Sequence, residues 1–365
     1  MVGDVRSRML APQQQKVAPT FSLTQLATLC GIDKGQVSYR LTKDDLPAGQ
    51  LNATGSRREF SLEQARTWVR SYRAESLRPE GKRAVTIAIG NFKGGVSKTT
   101  TAMTLAQGLS LRGHRVLVVD TDPQGSLTTL FGVLPDTDVA EDQTVAPLAN
   151  GDETSIRPAI RSTYWDGIDL VAAAPVLFSA EFVLPARQMK DPSFQFWDVL
   201  NLGLEDVRDD YDVIVIDTPP SLSYLTINAF MAADGLIVPL PPNALDFASS
   251  AQFWSLFSDL ASNLVESAGL TKSFDFIHVL LSRVDASDVA SSVVRTWITA
   301  TYAEKVLPVE IPKTAVTSAS SAEFGTVYDI SKYDGSLKTY KRARDAYDRV
   351  SDLVEQSVQG SWAGQ

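Results

Sequence analysis

The chain holds a single cysteine, Cys30, so it can form no internal disulfide and offers no thiolate cluster for zinc or an iron–sulfur centre. Cys30 itself reads as a small buried apolar residue. No apolar stretch approaches the roughly 20 residues of a membrane-spanning helix. Arg6 and Arg8 precede only Met9-Leu10-Ala11 before Pro12, so no secretory core follows them, and a cytoplasmic protein is expected. His114 and His278 lie in no catalytic or metal-binding spacing and read as structural. With 44% hydrophobic and 21% charged residues, the composition is neither that of a disordered chain nor of a membrane protein.

A uniformly basic surface is also missing, since the net charge is −9. The average conceals a division. Residues 1–83 carry 14 Lys and Arg against 8 Asp and Glu, whereas residues 84–365 carry 20 against 35. Only the N-terminal part is electrostatically suited to DNA.

Residues 1–19, with Gln13-Gln14-Gln15 and prolines at 12 and 19, read as a flexible tail. Ser22 is placed to cap a helix over Leu23–Cys30, which Gly31 stops. After Gly31-Ile32-Asp33 a second helix is predicted from Lys34 to Leu41, turning Lys34, Gln36, Ser38, Tyr39 and Arg40 outward. Small Ala27 lets the helices approach, with Ile32 and Val37 between them, which is helix-turn-helix spacing. Such a second helix fits the major groove. Residues 46–60 suggest a hairpin with Arg57 and Arg58 at its tip, a wing against phosphates. Ser61-Leu62-Glu63-Gln64 has the capping-box pattern and opens a helix through Trp68 and Val69. Residues 20–74 therefore read as a winged helix-turn-helix DNA-binding domain, with a small helical protein-interaction module as the competing reading. Residues 75–83 read as a linker.

Ala84-Val85-Thr86-Ile87-Ala88-Ile89-Gly90 predicts a buried parallel strand, and a helix is predicted over Ala102–Arg112. Between them lies Asn91-Phe92-Lys93-Gly94-Gly95-Val96-Ser97-Lys98-Thr99-Thr100-Thr101. Strand, glycine-containing loop and helix N-terminus make a phosphate cradle, because backbone N–H groups converge on the anion and the helix dipole favours it. Lys98 is placed to neutralise the β and γ phosphates of ATP and the Thr99 hydroxyl to ligate Mg²⁺. The strict glycine-rich pattern fails, however, since Phe92 and Ser97 occupy its two glycine positions.

Two more apolar runs end in carboxylates: Arg115–Asp120, followed by Thr121-Asp122-Pro123-Gln124, and Asp212–Asp217, followed by Thr218-Pro219-Pro220. In an open parallel sheet the strand C-termini line the ligand crevice, so Asp120 and Asp217 should face the nucleotide. A hard Mg²⁺ ion keeps several waters, and the two aspartates are assigned to it mainly through metal-bound water. Capping of the next helix is the competing role for a strand-end aspartate.

Lys93-Gly94-Gly95-Val96-Ser97-Lys98-Thr99 resembles the deviant Walker A motif, and from residue 84 onward the order of features resembles ParA-type partition ATPases. The phrase Tyr211–Ser221 with Leu225–Ala229 is especially similar, and the N-terminal winged element matches the longer plasmid-type members, including RepA partners of large replicons. The resemblance implies an α/β fold, a mostly parallel doubly wound P-loop NTPase sheet over 84–365, carrying the small N-terminal winged domain. It implies ATP hydrolysis with Lys93, Lys98 and Asp122 as catalytic residues, Asp122 orienting the attacking water. The nucleotide would be held by Lys93, Gly94, Gly95, Val96, Ser97, Lys98, Thr99 and Thr100, with Pro312 near the base; Thr99, Asp120 and Asp217 serve the metal. It further implies a homodimer in which Lys93 reaches the partner's nucleotide, non-specific DNA binding by the ATP dimer, and stimulation by a ParB-like centromere-binding protein. The winged domain would bind operator DNA, and the protein would sit on the nucleoid. Arg283, Arg295, Lys338, Lys341, Arg342 and Arg344 are the basic candidates for non-specific DNA contact. A nucleotide-tuned transcriptional regulator without a segregation role is the alternative. A membrane-cycling ATPase is disfavoured, because Glu355–Gln365 lacks the basic and apolar faces of a membrane helix.

Overall fold

The computed structural model of the chain describes residues 16–43, 45–52, 55–266, 272–314, 325–330 and 335–365. Most of the expected tail, and Ala53 and Thr54 of the expected hairpin, lie outside the described residues.

The N-terminal segment runs β1 (Phe21–Ser22), α1 (Leu23–Cys30), α2 (Lys34–Leu41), β2 (Gln50–Leu51), β3 (Arg58–Phe60) and α3 (Leu62–Tyr72), with an antiparallel sheet in the order β1-β3-β2. All three helices open on a reciprocal capping box: Ser22 with Gln25, Asp33 with Gln36, and Ser61 with Gln64. Gly31 ends α1 at φ 69°, a left-handed conformation that glycine adopts without strain. Leu26, Val37, Phe60, Ala65 and Trp68 are fully buried together, and the Trp68 indole N–H donates to the Pro47 carbonyl at 2.8 Å. The hairpin corrects one expectation. Arg57 lies exposed at the end of the turn, but Arg58 belongs to β3, and its guanidinium folds back onto the Ala48 carbonyl.

The larger sheet has the order β11-β10-β9-β4-β8-β5-β7-β6. In chain order its parts are β4 (Val85–Ile89), α4 (Lys98–Leu111), β5 (Val116–Asp120), β6 (Arg161–Ser162), β7 (Ile168–Val171), β8 (Val213–Asp217), α5 (Tyr224–Ala232), β9 (Gly235–Leu240), α6 (Ala244–Ala261), β10 (Phe276–Val284), α7 (Val289–Tyr302), β11 (Val306–Pro312) and α8 (Leu337–Gly364). Every pairing is parallel except β6 with β7 at one edge. Runs such as Val213-Ile214-Val215-Ile216 are apolar on both faces because helices cover both sides of a parallel sheet. The chain runs from β4 outward to β5, then returns to place β8 and β9 on either side of β4. That reversal leaves a crevice at the strand C-termini. The helix after β4 begins at Lys98, four residues before the expected Ala102, so Lys98, Thr99 and Thr100 form its first turn.

The expected division near residue 75 is not a break in the core. One apolar cluster runs from Phe21, Phe60 and Trp68 through Ile87 and Leu105 to Val354 and Trp362. Three arginines of the α3 region, one per turn, dock on the C-terminal end of α4. Arg66 donates to Ser110 O at 3.0 Å and His114 O at 2.8 Å, Arg70 to Gly113 O, and Arg73 to Arg112 O at 3.4 Å. A helix C-terminus leaves carbonyls unpaired and carries negative partial charge, so guanidinium groups suit it on both counts. The 75–83 segment is tied down as well, through Arg78 to Asp212 (3.3 Å) and Arg83 to Glu205 (2.8 Å).

Candidate active site

The crevice is a cleft of about 760 Å³ lined by Gly94, Gly95, Ser97, Lys98, Thr99, Thr100, Asp122, Pro220, Ile311 and Pro312. That size accommodates a nucleotide. The Lys98 ammonium is buried and donates to the Lys93 carbonyl at 2.9 Å. Burial lowers its pKa, opposed by the carboxylates of Asp217 and Asp122. Ser97 sits at φ 76°, the left-handed conformation in which a glycine would be unstrained, which gives a physical reason for the usual glycine here.

The strand-end aspartates lie side by side, with Asp120 of β5 in register with Asp217 of β8, itself in register with Ile89 of β4. Their surroundings differ. Asp120 accepts from Thr128 N at 2.9 Å, Thr128 Oγ1 at 2.7 Å and Asp122 N at 3.1 Å. The loop that carries Asp122 engages the Asp120 carboxylate, and burial pushes its pKa up to about 7. Asp217 is also fully buried, near Thr99 and Lys98, yet neither carboxylate oxygen has a hydrogen-bond partner of normal geometry. Burial, then the neighbouring Asp120 charge, pushes its pKa well above the carboxylate range. Two unpartnered buried oxygens beside a hydroxyl are the donor set a hard cation seeks. Among the described residues no three His, Cys, Asp or Glu side chains converge, so such an ion would be completed by phosphate oxygens and water.

Asp122 lines the cleft and is only 9% exposed; its Oδ1 accepts from Gln124 N at 3.0 Å, which fixes the turn. Lys93 leaves the cleft, and its ammonium is paired with Asp246 in the first turn of α6. Asp246 and Tyr347 escaped the sequence reading; Arg283, read from the sequence as a candidate for DNA contact, lines the cleft together with Tyr347. Tyr347 lies far along the chain in α8, in no motif, and only the packing of α8 brings it here.

Lys34, Gln36, Ser38, Tyr39 and Arg57 are exposed, whereas Arg40 is half-buried and paired with Asp45 at 2.8 Å. Lys338, Lys341 and Arg342 are exposed on the first turns of α8. Three other basic candidates are engaged: Arg283 with Gly95 O at 2.7 Å, Arg295 with Glu310 at 2.5 Å, and Arg344 with Asp348 at 3.2 Å. Both histidines bind α8, His114 through Glu355 (2.7 Å) and His278 through Ser357 (2.8 Å). The apolar face of α8, with Val354, Val358 and Trp362, is buried in the core, and no helix among the described residues is long and apolar enough to cross a membrane.

A family model described as an AAA domain matches residues 84–268. A putative replication protein A of Rhizobium rhizogenes is 32% identical over 97% of this chain and 90% of its own length. The chromosome-partitioning ATPase Soj of Thermus thermophilus is 32% identical over 73% of this chain and 96% of its own. Among solved structures, cobyrinic acid a,c-diamide synthase from Mycobacterium smegmatis, with bound ATP analogue and magnesium, has a TM-score of 0.57 and 28% identity, covering 74% of this chain and 94% of that one.

Proposed function

Because the chain belongs to the family of ParA-type partition ATPases, we propose that it is an ATP-driven switch for DNA segregation: ATP binding makes a sandwich homodimer that holds DNA non-specifically, and a ParB-like partner triggers hydrolysis. The observation that carries the reading is one cleft lined by Lys98, Thr99 and Asp122, with the buried Asp217 beside Lys98 and Thr99 and a second lysine, Lys93, at the deviant position of the same loop. ATP and Mg²⁺ are its substrate and metal, in line with the Mycobacterium smegmatis structure. Lys98 and the N–H groups of Gly94 to Thr100 bind the phosphates. Thr99 and Asp217 would hold Mg²⁺, which supplies positive charge to the phosphate oxygens. Asp122, held by its own turn, orients the attacking water, and Asp120 keeps the Asp122 loop in place. Lys93 leaves Asp246 to reach the partner's nucleotide, so its intramolecular pair opens as the dimer forms.

Residues 20–74 act as a winged helix-turn-helix domain. Lys34, Gln36, Ser38, Tyr39 and Arg40 of α2 face the operator groove, and Arg57, with Arg58 behind it, faces phosphate. Lys338, Lys341 and Arg342 supply non-specific contacts. The protein acts in the cytoplasm on the nucleoid.

The test is anisotropy of a non-specific duplex with full-length protein in ATP, ADP or no nucleotide. A variant with Lys34, Tyr39 and Arg57 all changed to alanine silences the N-terminal surface, and Asp122→Ala preserves bound ATP. ATP-selective binding that survives the triple change and vanishes in Lys98→Ala is expected. Binding that depends wholly on the N-terminal surface in every nucleotide state would instead favour the nucleotide-tuned regulator.

A further inference from the structure

We infer that Ser282 and Arg283, at the end of β10, are positioning residues that orient the phosphate loop for ATP from behind. The Ser282 hydroxyl, buried, donates to the Val96 carbonyl at 3.0 Å, and the Arg283 guanidinium donates to the Gly95 carbonyl at 2.7 Å. Two successive side chains thus hold two successive carbonyls of the loop. In a trans peptide the C=O and the following N–H point in opposite directions. Drawing Gly95 O and Val96 O toward β10 therefore turns the N–H groups of Val96 and Ser97 away from it, toward the cleft where phosphate binds. The adjoining carbonyls are also held: Lys93 O by the Lys98 ammonium at 2.9 Å, and Ser97 O by Thr101 N and Oγ1 at 2.9 and 2.8 Å. Of these ties, only the pair from β10 comes from outside the loop and its helix.

The backbone of β10 is distorted where this happens. Consecutive residues of a regular strand point to opposite faces, so Ser282 and Arg283 would not both reach one loop. Here the register with β11 shifts between Leu281 and Val284, and Arg283 takes φ 53°, a left-handed conformation unfavourable for a residue with a Cβ. The irregularity turns both side chains to the same target. A strained residue kept beside a binding site is the arrangement expected when local strain serves preorganisation. The loop meets its anion with donors already aimed, which removes ordering from the binding step.

The experiment compares wild type with Ser282→Ala, Arg283→Gly and Arg283→Lys, reading Kd for ATP and for ADP by calorimetry, Tm by differential scanning, and KM and kcat for ATP hydrolysis. Glycine adopts φ 53° freely, so Arg283→Gly should keep or raise Tm while removing the tie. Each of Ser282→Ala and Arg283→Gly should weaken ATP and ADP alike by about 5- to 10-fold, raise KM similarly and leave kcat within about twofold; this is one neutral hydrogen bond, or somewhat more for the charged donor. Arg283→Lys should recover part of the loss. Variants that bind both nucleotides as wild type does would overturn the inference while leaving the ATPase reading intact. A loss confined to ATP in Arg283→Gly, with Ser282→Ala silent, would overturn it too, by making Arg283 a direct γ-phosphate contact. A wild-type chain that binds neither nucleotide would remove the ATPase reading and this inference together.

Discussion

Asp120 and Asp217 occupy equivalent strand ends, yet the structure surrounds them differently. Asp120 has three donors on its carboxylate, so Asp120→Ala would strand the buried Thr128 and Asp122 N–H groups. We expect a loss of about 2–3 kcal/mol in denaturant unfolding, with the Asp122 turn loosened. Asp217 is buried with only the Thr99 hydroxyl and the Lys98 charge to offset its desolvation, so Asp217→Asn should leave the nucleotide-free protein as stable or more stable while hydrolysis falls at least about 100-fold; a stopped turnover with an unchanged or higher unfolding midpoint checks this. Since its folded pKa is raised, the folded state binds more protons than the unfolded one above about pH 4. The contribution of Asp217 to the stability of the nucleotide-free wild type therefore declines as pH rises from that value, and Asp217→Asn should remove that contribution in a pH series of unfolding midpoints.

The decisive element is α4, a 14-residue helix whose N-terminal turn lines the cleft and whose C-terminal turn meets Arg66, Arg70 and Arg73. The arginines carry the sign of charge that the helix dipole favours at its C-terminus, and the phosphates in our proposal would do the same at the N-terminus. Arg66 is the most buried of the three and also pairs with Asp166. Arg66→Ala takes the guanidinium donor from His114 O, leaves Ser110 O to its backbone donor Gly113 N and breaks the pair with Asp166, and we expect about 2–4 kcal/mol of destabilisation in guanidinium unfolding. A truncation that begins at residue 81 discards all three arginines together with Trp68 and Val69 of the shared core. It should unfold at distinctly lower temperature than one that begins just before Ser61, read by scanning calorimetry of both.

Across the whole molecule, the acidic excess of residues 84–365 means that the non-specific DNA contact we propose would rely on a local basic patch rather than net charge. Lys338, Lys341 and Arg342 are the exposed group left after Arg283, Arg295 and Arg344 are accounted for by internal partners. Changing these three to glutamate should abolish ATP-dependent duplex binding and leave the Kd for ATP within about twofold. With three phosphate contacts per protomer, raising salt from 50 to 200 mM should weaken each protomer's contribution by roughly 40-fold, from a slope of about −0.9 per contact. A salt-independent affinity would remove the patch from the interface.

The sequence by itself determined everything that depends on neighbours along the chain. Ser22 and Gly31 bound α1 where expected, Asp33 opens α2, and three apolar runs become β4, β5 and β8 with Asp120 and Asp217 at their ends. Caps, short apolar strands and a phosphate loop are local chemistry, legible from residue types and spacing. The tertiary structure decided what depends on residues far apart in the chain. It brought Asp246 to Lys93, Ser282 and Arg283 to the phosphate loop, Tyr347 to the cleft and the α3 arginines to the end of α4. It also gave the two neighbouring aspartates different surroundings, three donors on Asp120 and only Thr99 and Lys98 beside Asp217. Those differences arise because a side chain's partners are set by which strands and helices pack together, and that pairing leaves no periodic mark in the sequence.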